Sequence, residues 1–222
     1  QAQLDEAAVR KGGRRLTKKL RLVVMASGRG SNFSAIADAI REGALDAEIA
    51  ALVCDRPKAP VIDKAMACGN MDIAVLTRKG FASRADYDMA LADLVFGYDP
   101  DVIALAGFMR VLGPEFVGRF PGRIINIHPA LLPSFPGLNA QRQALEYGVK
   151  VTGATVHFVE LEADSGPIIL QKAVYIKDDD TPETLQKRVM EEAEWDILPE
   201  AIKLFAEGRL EIEGRRVRIK DK

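Results

Sequence analysis

An α/β fold, with an open, mostly parallel sheet, helices on both faces and an antiparallel C-terminal addition, is predicted by three observations. From Leu22 onward, short apolar runs rich in β-branched residues alternate with stretches of helical period. Strands alternating with helices imply a parallel sheet covered on both sides. The first run leads directly into the glycine-rich turn Ser27-Gly28-Arg29-Gly30-Ser31-Asn32. After Gly153 the pattern changes, and two strand-like runs lie close together, as an antiparallel pair requires.

The elements follow in order. Leu22 to Ala26 is the first strand, and a helix follows the turn through Ile36, Ala37 and Ile40. Ile49 to Val53 is a second buried strand, closed by the turn signal Cys54-Asp55-Arg56-Pro57. Ile62 to Ala67 is helical and ends at Gly69-Asn70. Ile73 to Leu76 is a third strand. Arg84 to Phe96 is an amphipathic helix with Tyr87, Leu91, Leu94 and Val95 near one face. Val102 to Ala106 and Ile124 to Ile127 are the fourth and fifth strands. Ala154 to Val159 and Ile168 to Ile176 make the antiparallel addition. Thr181 is an N-cap with Pro182 in the first turn, and that helix runs to about Phe205. The succession is Rossmann-like.

The chain has 222 residues, 48% of them hydrophobic, which suits a single domain over 22–222 with a sizeable core. Residues 1–21 read as a flexible basic tail. Arg10, Lys11, Arg14, Arg15, Lys18, Lys19 and Arg21 outnumber Asp5 and Glu6 there. The net charge of −1 provides no global field towards nucleic acid or an anionic membrane, so neither is expected as a partner. No apolar run approaches the roughly 18 to 20 residues that span a bilayer. The two cysteines, Cys54 and Cys68, form no CxxC pair and point to a reducing, cytoplasmic setting.

Three places carry candidate chemistry. At a helix N-terminus the first N–H groups have no helical partner and attract anions, so Gly30, Ser31 and Asn32 suit a phosphate; a plain tight turn explains the same residues. The turn lacks the Lys-Ser/Thr ending of a P-loop and the third glycine of GxGxxG. His128 ends the fifth strand in Asn126-Ile127-His128-Pro129. Asn126 and His128 are two apart and point the same way on extended backbone, so an amide donor and an imidazole converge. That pair suits oxyanion stabilisation and proton transfer, although a strand-end His also serves as a structural hydrogen-bonding group. His157, the only other histidine, reads as structural or as support for a neighbouring site. Asp164 reads alone as a turn residue. A zinc site from the histidines and cysteines lacks ligand spacing, and a Ser–His hydrolase lacks its GxSxG elbow.

Taken jointly, Ser27 to Asn32, Leu105-Ala106-Gly107-Phe108-Met109-Arg110, Asn126 to Pro133 and Asp164-Ser165-Gly166-Pro167-Ile168 resemble, in order and spacing, the glycinamide ribonucleotide formyltransferases. The resemblance covers about residues 21–212. It implies a purine-biosynthetic enzyme that passes the formyl group of 10-formyltetrahydrofolate to the amine of glycinamide ribonucleotide by direct attack, without a metal. Asn126, His128 and Asp164 match the catalytic trio. Gly30, Ser31 and Asn32 match the loop that holds the ribonucleotide phosphate, and Glu194 a ribose-binding carboxylate. Met109, Arg110, Val111 and Leu112 match the folate-lining segment, and Arg84 and Arg123 positions near the substrates. Asn139, Gln141 and Trp195 stand where the family often has His, and one extra residue lies between Arg188 and Pro199.

The resemblance implies a monomer or homodimer whose partners are the two small substrates. Methionyl-tRNA formyltransferases resemble this core but add a basic C-terminal domain for tRNA, and formyltetrahydrofolate hydrolases add an N-terminal regulatory domain. Neither addition is expected here. A nucleotide-binding oxidoreductase or a non-catalytic binding module explains the strand–turn–helix start but not Asn126, His128 and Asp164 at family spacing.

Overall fold

The structure, a computed structural model, describes residues 19–221, so the tail expected over 1–21 lies mostly outside the described residues. The described residues form nine strands, seven α-helices and one π-helical segment. The strands are β1 (Leu20–Ala26), β2 (Ala47–Cys54), β3 (Asp72–Val75), β4 (Val102–Leu105), β5 (Ile124–His128), β6 (Val151–Phe158), β7 (Ile168–Tyr175), β8 (Leu210–Glu213) and β9 (Arg216–Ile219). The helices are α1 (Ser31–Arg41), α2 (Val61–Cys68), α3 (Arg84–Phe96), α4 (Pro114–Val117), α5 (Ala140–Tyr147), α6 (Pro182–Val189) and α7 (Trp195–Ala206). All nine strands form one sheet in the order β3-β2-β1-β4-β5-β6-β7-β9-β8.

The first five strands pair in parallel, and β6 and β7 continue the sheet antiparallel. The order reverses at β1: the chain runs outward to β2 and β3, then returns to place β4 on β1's other side. Ligands of open α/β sheets bind outside the carboxyl ends of the strands at such a switch point. The turn after β1, the segment after β4 and the end of β5 meet there.

Alternation along the central strands divides the core in two. Leu22, Val24 and Ala26 pack with Phe33, Ile36, Val61, Leu185 and Leu198 on the face covered by α1, α2, α6 and α7. Val23 and Met25 pack with Tyr87, Leu91, Val95 and Phe116 on the face covered by α3 and α4. Helix α3 starts at a capping box, in which Ser83 accepts from the Asp86 N–H and Asp86 accepts from the Ser83 N–H. Helix α6 starts in the same way with Thr181 and Thr184, and Pro182 occupies the first turn, where its missing N–H costs nothing.

The sheet differs from the sequence expectation at both ends. Strand β1 begins at Leu20 rather than Leu22. Arg21, assigned to the tail from sequence, belongs to it: its N–H donates to Asp101 Oδ2 at 2.8 Å and its guanidinium to the Tyr98 carbonyl at 2.9 Å. At the other end, β8 and β9 form an antiparallel hairpin at the edge of the sheet that sequence reasoning did not find. The late helix is also interrupted, because residues 190–194 form a π-helical segment between α6 and α7. A π-turn holds one residue more than an α-turn, so the helix widens at this point and runs from α6 into α7 without a loop.

Candidate active site

A cavity of about 360 Å³ opens at the carboxyl end of the sheet, lined among others by Met109 to Leu112, Asn126, His128, Gln141, His157 and Asp164. Strand β5 contributes Asn126 and His128, two residues apart and on one side. The loop after β6 brings Asp164 to them. Asp164 Oδ2 lies 3.5 Å from His128 Nδ1, and Oδ1 lies 3.8 Å from His157 Nε2. Asp164 has a left-handed backbone, φ 55°, and Oδ2 also accepts the Gly137 N–H at 2.8 Å, so the carboxylate ties its own loop to the loop after β5.

His128 is buried, with Nε2 2.8 Å from the Phe135 carbonyl. A carbonyl only accepts, so Nε2 carries a hydrogen. The opposite nitrogen faces a carboxylate, also an acceptor. His157 is held differently. Nδ1 lies 2.9 Å from the Phe158 carbonyl and Nε2 lies 3.1 Å from Asn126 Nδ2. Burial lowers its affinity for a proton below the ordinary imidazole range. The Phe158 carbonyl and Asp164 oppose that shift, and His128 adds to it.

The segment after β4 is pinned from several sides. The Ser27 N–H donates to the Gly107 carbonyl at 3.0 Å, and Ser27 Oγ accepts from the Met109 N–H at 2.8 Å. Arg110 Nε bonds buried Asp55 at 2.7 Å while its guanidinium lies over the Tyr87 ring. Arg84 donates to the Val111 carbonyl at 2.7 Å. Buried Asp88 accepts the Gly113 N–H at 2.9 Å. Met109 and Val111 are exposed, whereas Leu112 is buried. The Arg110 and Arg84 side chains thus hold this segment, and Arg110 is also one of the residues lining the cavity. Tyr87, buried under Arg110, has its phenol pushed up to about 12, chiefly by desolvation.

On the other side of the switch point, Gly30 has φ 71° and caps α1 without a side-chain bond. A Cβ there would sit 2.5 Å from Val61 Cγ2 and 3.0 Å from its Cα, so only glycine fits. The first intrahelical bond runs from Ser34 N to Gly30 O. Ser31 Oγ meets Met190 Sδ at 3.5 Å, and Asn32 Nδ2 donates to buried Glu194 Oε2 at 2.7 Å. Both partners come from the π-helical segment, which therefore lies against the glycine-rich turn. Burial pushes the Glu194 carboxyl above the usual carboxylate range, and the bond from Asn32 opposes this.

The structure thus brings Asn126, His128 and Asp164 together and sets Gly30, Ser31, Asn32 and Glu194 as a second cluster. Arg123, expected near the substrates, is not there. It precedes β5, at the opposite end of the strand from His128, and bonds the Pro100 carbonyl at 3.2 Å. Asp55, Asp88 and Lys64 were missed from sequence. Lys64 reaches within 3.4 Å of the Gly30 carbonyl from α2 and adds a cation beside the α1 N-terminus. Its only sequence signal is a lysine in a short helix. Among the described residues, no cluster of His, Cys, Asp and Glu side chains is arranged to hold a metal ion.

A formyl transferase family model matches residues 20–202. The chain is 43% identical over 195 residues to a trifunctional purine biosynthetic protein adenosine-3 from Bos taurus, covering 88% of the chain but only 19% of that longer protein. It is 44% identical over 169 residues to a phosphoribosylglycinamide formyltransferase from Bacillus subtilis, covering 76% of the chain and 86% of that protein. Among solved structures, glycinamide ribonucleotide transformylase 1 from Symbiobacterium toebii is 50% identical and superposes with a TM-score of 0.89. That match covers 91% of this chain and 95% of the other.

Proposed function

The chain belongs to the formyl transferase family, and from that premise we propose that it transfers the formyl group of 10-formyltetrahydrofolate to the amine of glycinamide ribonucleotide. The observation that carries this reading is the position of Asn126, His128 and Asp164. They line a cavity whose wall runs along Met109 to Leu112, and the anion-ready N-terminus of α1 lies at the same sheet end. Folate is assigned to the apolar Met109 to Leu112 wall, where backbone groups read the ring edge. The ribonucleotide phosphate is assigned to Gly30, Ser31 and Asn32, and its ribose to Glu194.

The amine attacks the formyl carbon and negative charge gathers on the formyl oxygen. Asn126 donates an N–H to that oxygen, and the charged His128 ring stabilises it through its field. Asp164 keeps His128 charged and orders a water that carries the amine proton to the folate nitrogen as the C–N bond breaks. Attack and departure balance without a redox change, and no metal takes part.

The test is to mix the protein with both substrates and follow the absorbance of the deformylated folate and the mass of the ribonucleotide. Folate deformylation should depend on the ribonucleotide and add one formyl mass to it. Deformylation that proceeds equally without the amine would make the enzyme a hydrolase and overturn the proposal.

A further inference from the structure

Antiparallel pairing of β5 with β6 sets Asn126 directly opposite His157. His157 is 2% exposed, so its contacts with its neighbours define its state. The Phe158 carbonyl, 2.9 Å from Nδ1, can only accept, so Nδ1 carries the hydrogen. In the neutral ring this leaves a lone pair on Nε2, 3.1 Å from Asn126 Nδ2. The Asn126 amide therefore turns its NH₂ towards His157 and its carbonyl away. One N–H is spent on the ring, which leaves the other for the cavity that Asn126 lines. In the opposite orientation, Asn126 Oδ1 would face the bare Nε2, two acceptors in contact, and the cavity would meet a different edge of the amide.

From this geometry we infer that His157, as the neutral Nδ1–H tautomer, is a positioning residue that fixes the Asn126 amide with its donor edge towards the reacting centre. The inference deepens the proposed formyl transfer and rests on it for its consequence in turnover, but the orientation itself is a property of the folded protein. Two titratable groups face His157. Asp164, from the loop after β6, lies 3.8 Å from Nε2 and favours the charged ring; His128, from the end of β5, disfavours it. Burial outweighs Asp164 and keeps the ring neutral. The carboxylate that lies 3.5 Å from His128 therefore also sits beside a histidine that must stay uncharged. A proton on His157 would turn Nε2 into a donor and drive the Asn126 amide to flip.

Two measurements test this. The first uses the wild-type protein at neutral pH and reads the side-chain ¹⁵N signals of the histidines by NMR. His157 should be neutral with hydrogen on Nδ1 and a bare Nε2. A proton found on Nε2 overturns the inference whatever the enzyme's activity. The second compares His157→Gln, whose Oε1 offers an acceptor near the Nε2 position, with His157→Leu, which offers none. Losing one hydrogen bond of about 1.4 kcal/mol corresponds to about tenfold. In folded protein, checked by thermal melts, His157→Leu should lower kcat about tenfold with both KM values within about threefold of wild type. His157→Gln should recover most of that loss. Equal kcat in the two variants, or a loss confined to KM, overturns it. An inactive wild-type enzyme would instead sink the proposed function and leave the NMR result to stand by itself.

Discussion

The two limbs that meet at the switch point are built on opposite principles. The segment after β4 is bonded to its own protein at nearly every step, through Ser27, Asp55, Arg84 and Asp88. It offers a surface of fixed shape, suited to a rigid ring system. The turn after β1 is tied instead through its carbonyls and side chains, by the Val61 N–H to the Gly28 carbonyl, Lys64 to the Gly30 carbonyl and Asn32 to Glu194. Gly30 supplies no cap, and the helix geometry leaves the first N–H groups of α1 without intrahelical partners. Under the proposed function, an anion takes up those N–H groups. Preorganised shape on one side and unpaired donors on the other imply that damage to either limb should affect one substrate, and damage at the junction should affect neither affinity.

The junction gives the largest expected effect. Asn126→Ala and His128→Ala each remove a group proposed to act on the developing oxyanion, worth about 3 kcal/mol or 10²-fold or more in kcat. Both dissociation constants, read by calorimetry, should stay near wild type. A large loss of folate or ribonucleotide affinity would show that these residues belong to one limb. Next in size is Gly30→Val, because the new side chain must displace Val61. Ribonucleotide affinity should fall more than about tenfold while folate affinity is kept, since the loss of charge-assisted bonds to a phosphate is large. Equal loss of both would mean that the turn supports the fold rather than one substrate.

The parallel half of the sheet was legible because each strand is a buried apolar run punctuated by a turn, and burial on both faces writes itself into composition. The β8–β9 hairpin was not. Leu210, Ile212, Val217 and Ile219 do alternate with Glu211, Glu213, Arg216 and Arg218, but each strand is only four residues long and half charged, too short a run to stand out in a polar C-terminal segment. Asn126 and His128 stood out because two polar groups end a buried strand, whereas Asp164 stood out only by resemblance. Asp55 and Asp88 were invisible, since a loop or helix aspartate declares itself only when tertiary packing buries it. Arg123 misled because nearness in sequence to β5 hides strand polarity: the residue before a strand lies at the far end of the sheet from the residue after it.

A smaller effect should separate holding from binding on the folate side. Arg110→Met leaves Asp55 buried without its cation, and Asp55 Oδ1 already has no protein partner. Because Arg110 is partly exposed, removing it costs less than breaking a fully buried pair, about 1 to 2 kcal/mol for the unsatisfied carboxylate. Thermal melts should show that loss, and the folate KM should rise while the ribonucleotide KM stays constant. Adding Asp55→Leu should restore most of the stability, because it removes the stranded charge. If folate binding vanished in Arg110→Met with stability unchanged, the guanidinium would be a direct ligand instead of a strut.

The smallest effect is expected from Glu194→Gln, and its sign depends on pH. Burial raises the Glu194 carboxyl above the usual carboxylate range in the folded protein. The unfolded chain ionises at the ordinary value. Between the two, the folded state holds the proton that the unfolded state has released, so rising pH favours unfolding until the folded carboxyl has also ionised. Below the ordinary range there is no such penalty. Gln cannot ionise, yet its Oε1 can still accept the Asn32 N–H, so the variant escapes the penalty and keeps the bond. Denaturant melts at a series of pH values should show wild type losing stability relative to Glu194→Gln as pH climbs through that window, with a constant difference above it. Because the proposed ribose contact loses only its charge, the ribonucleotide KM should rise by a few-fold, about 1 kcal/mol, and the folate KM should not move. If wild type gained stability over the variant as pH rose, Glu194 would be a readily ionised carboxylate. The turn after β1 would then be held by charge as firmly as the segment after β4, and the contrast between the two limbs would fail.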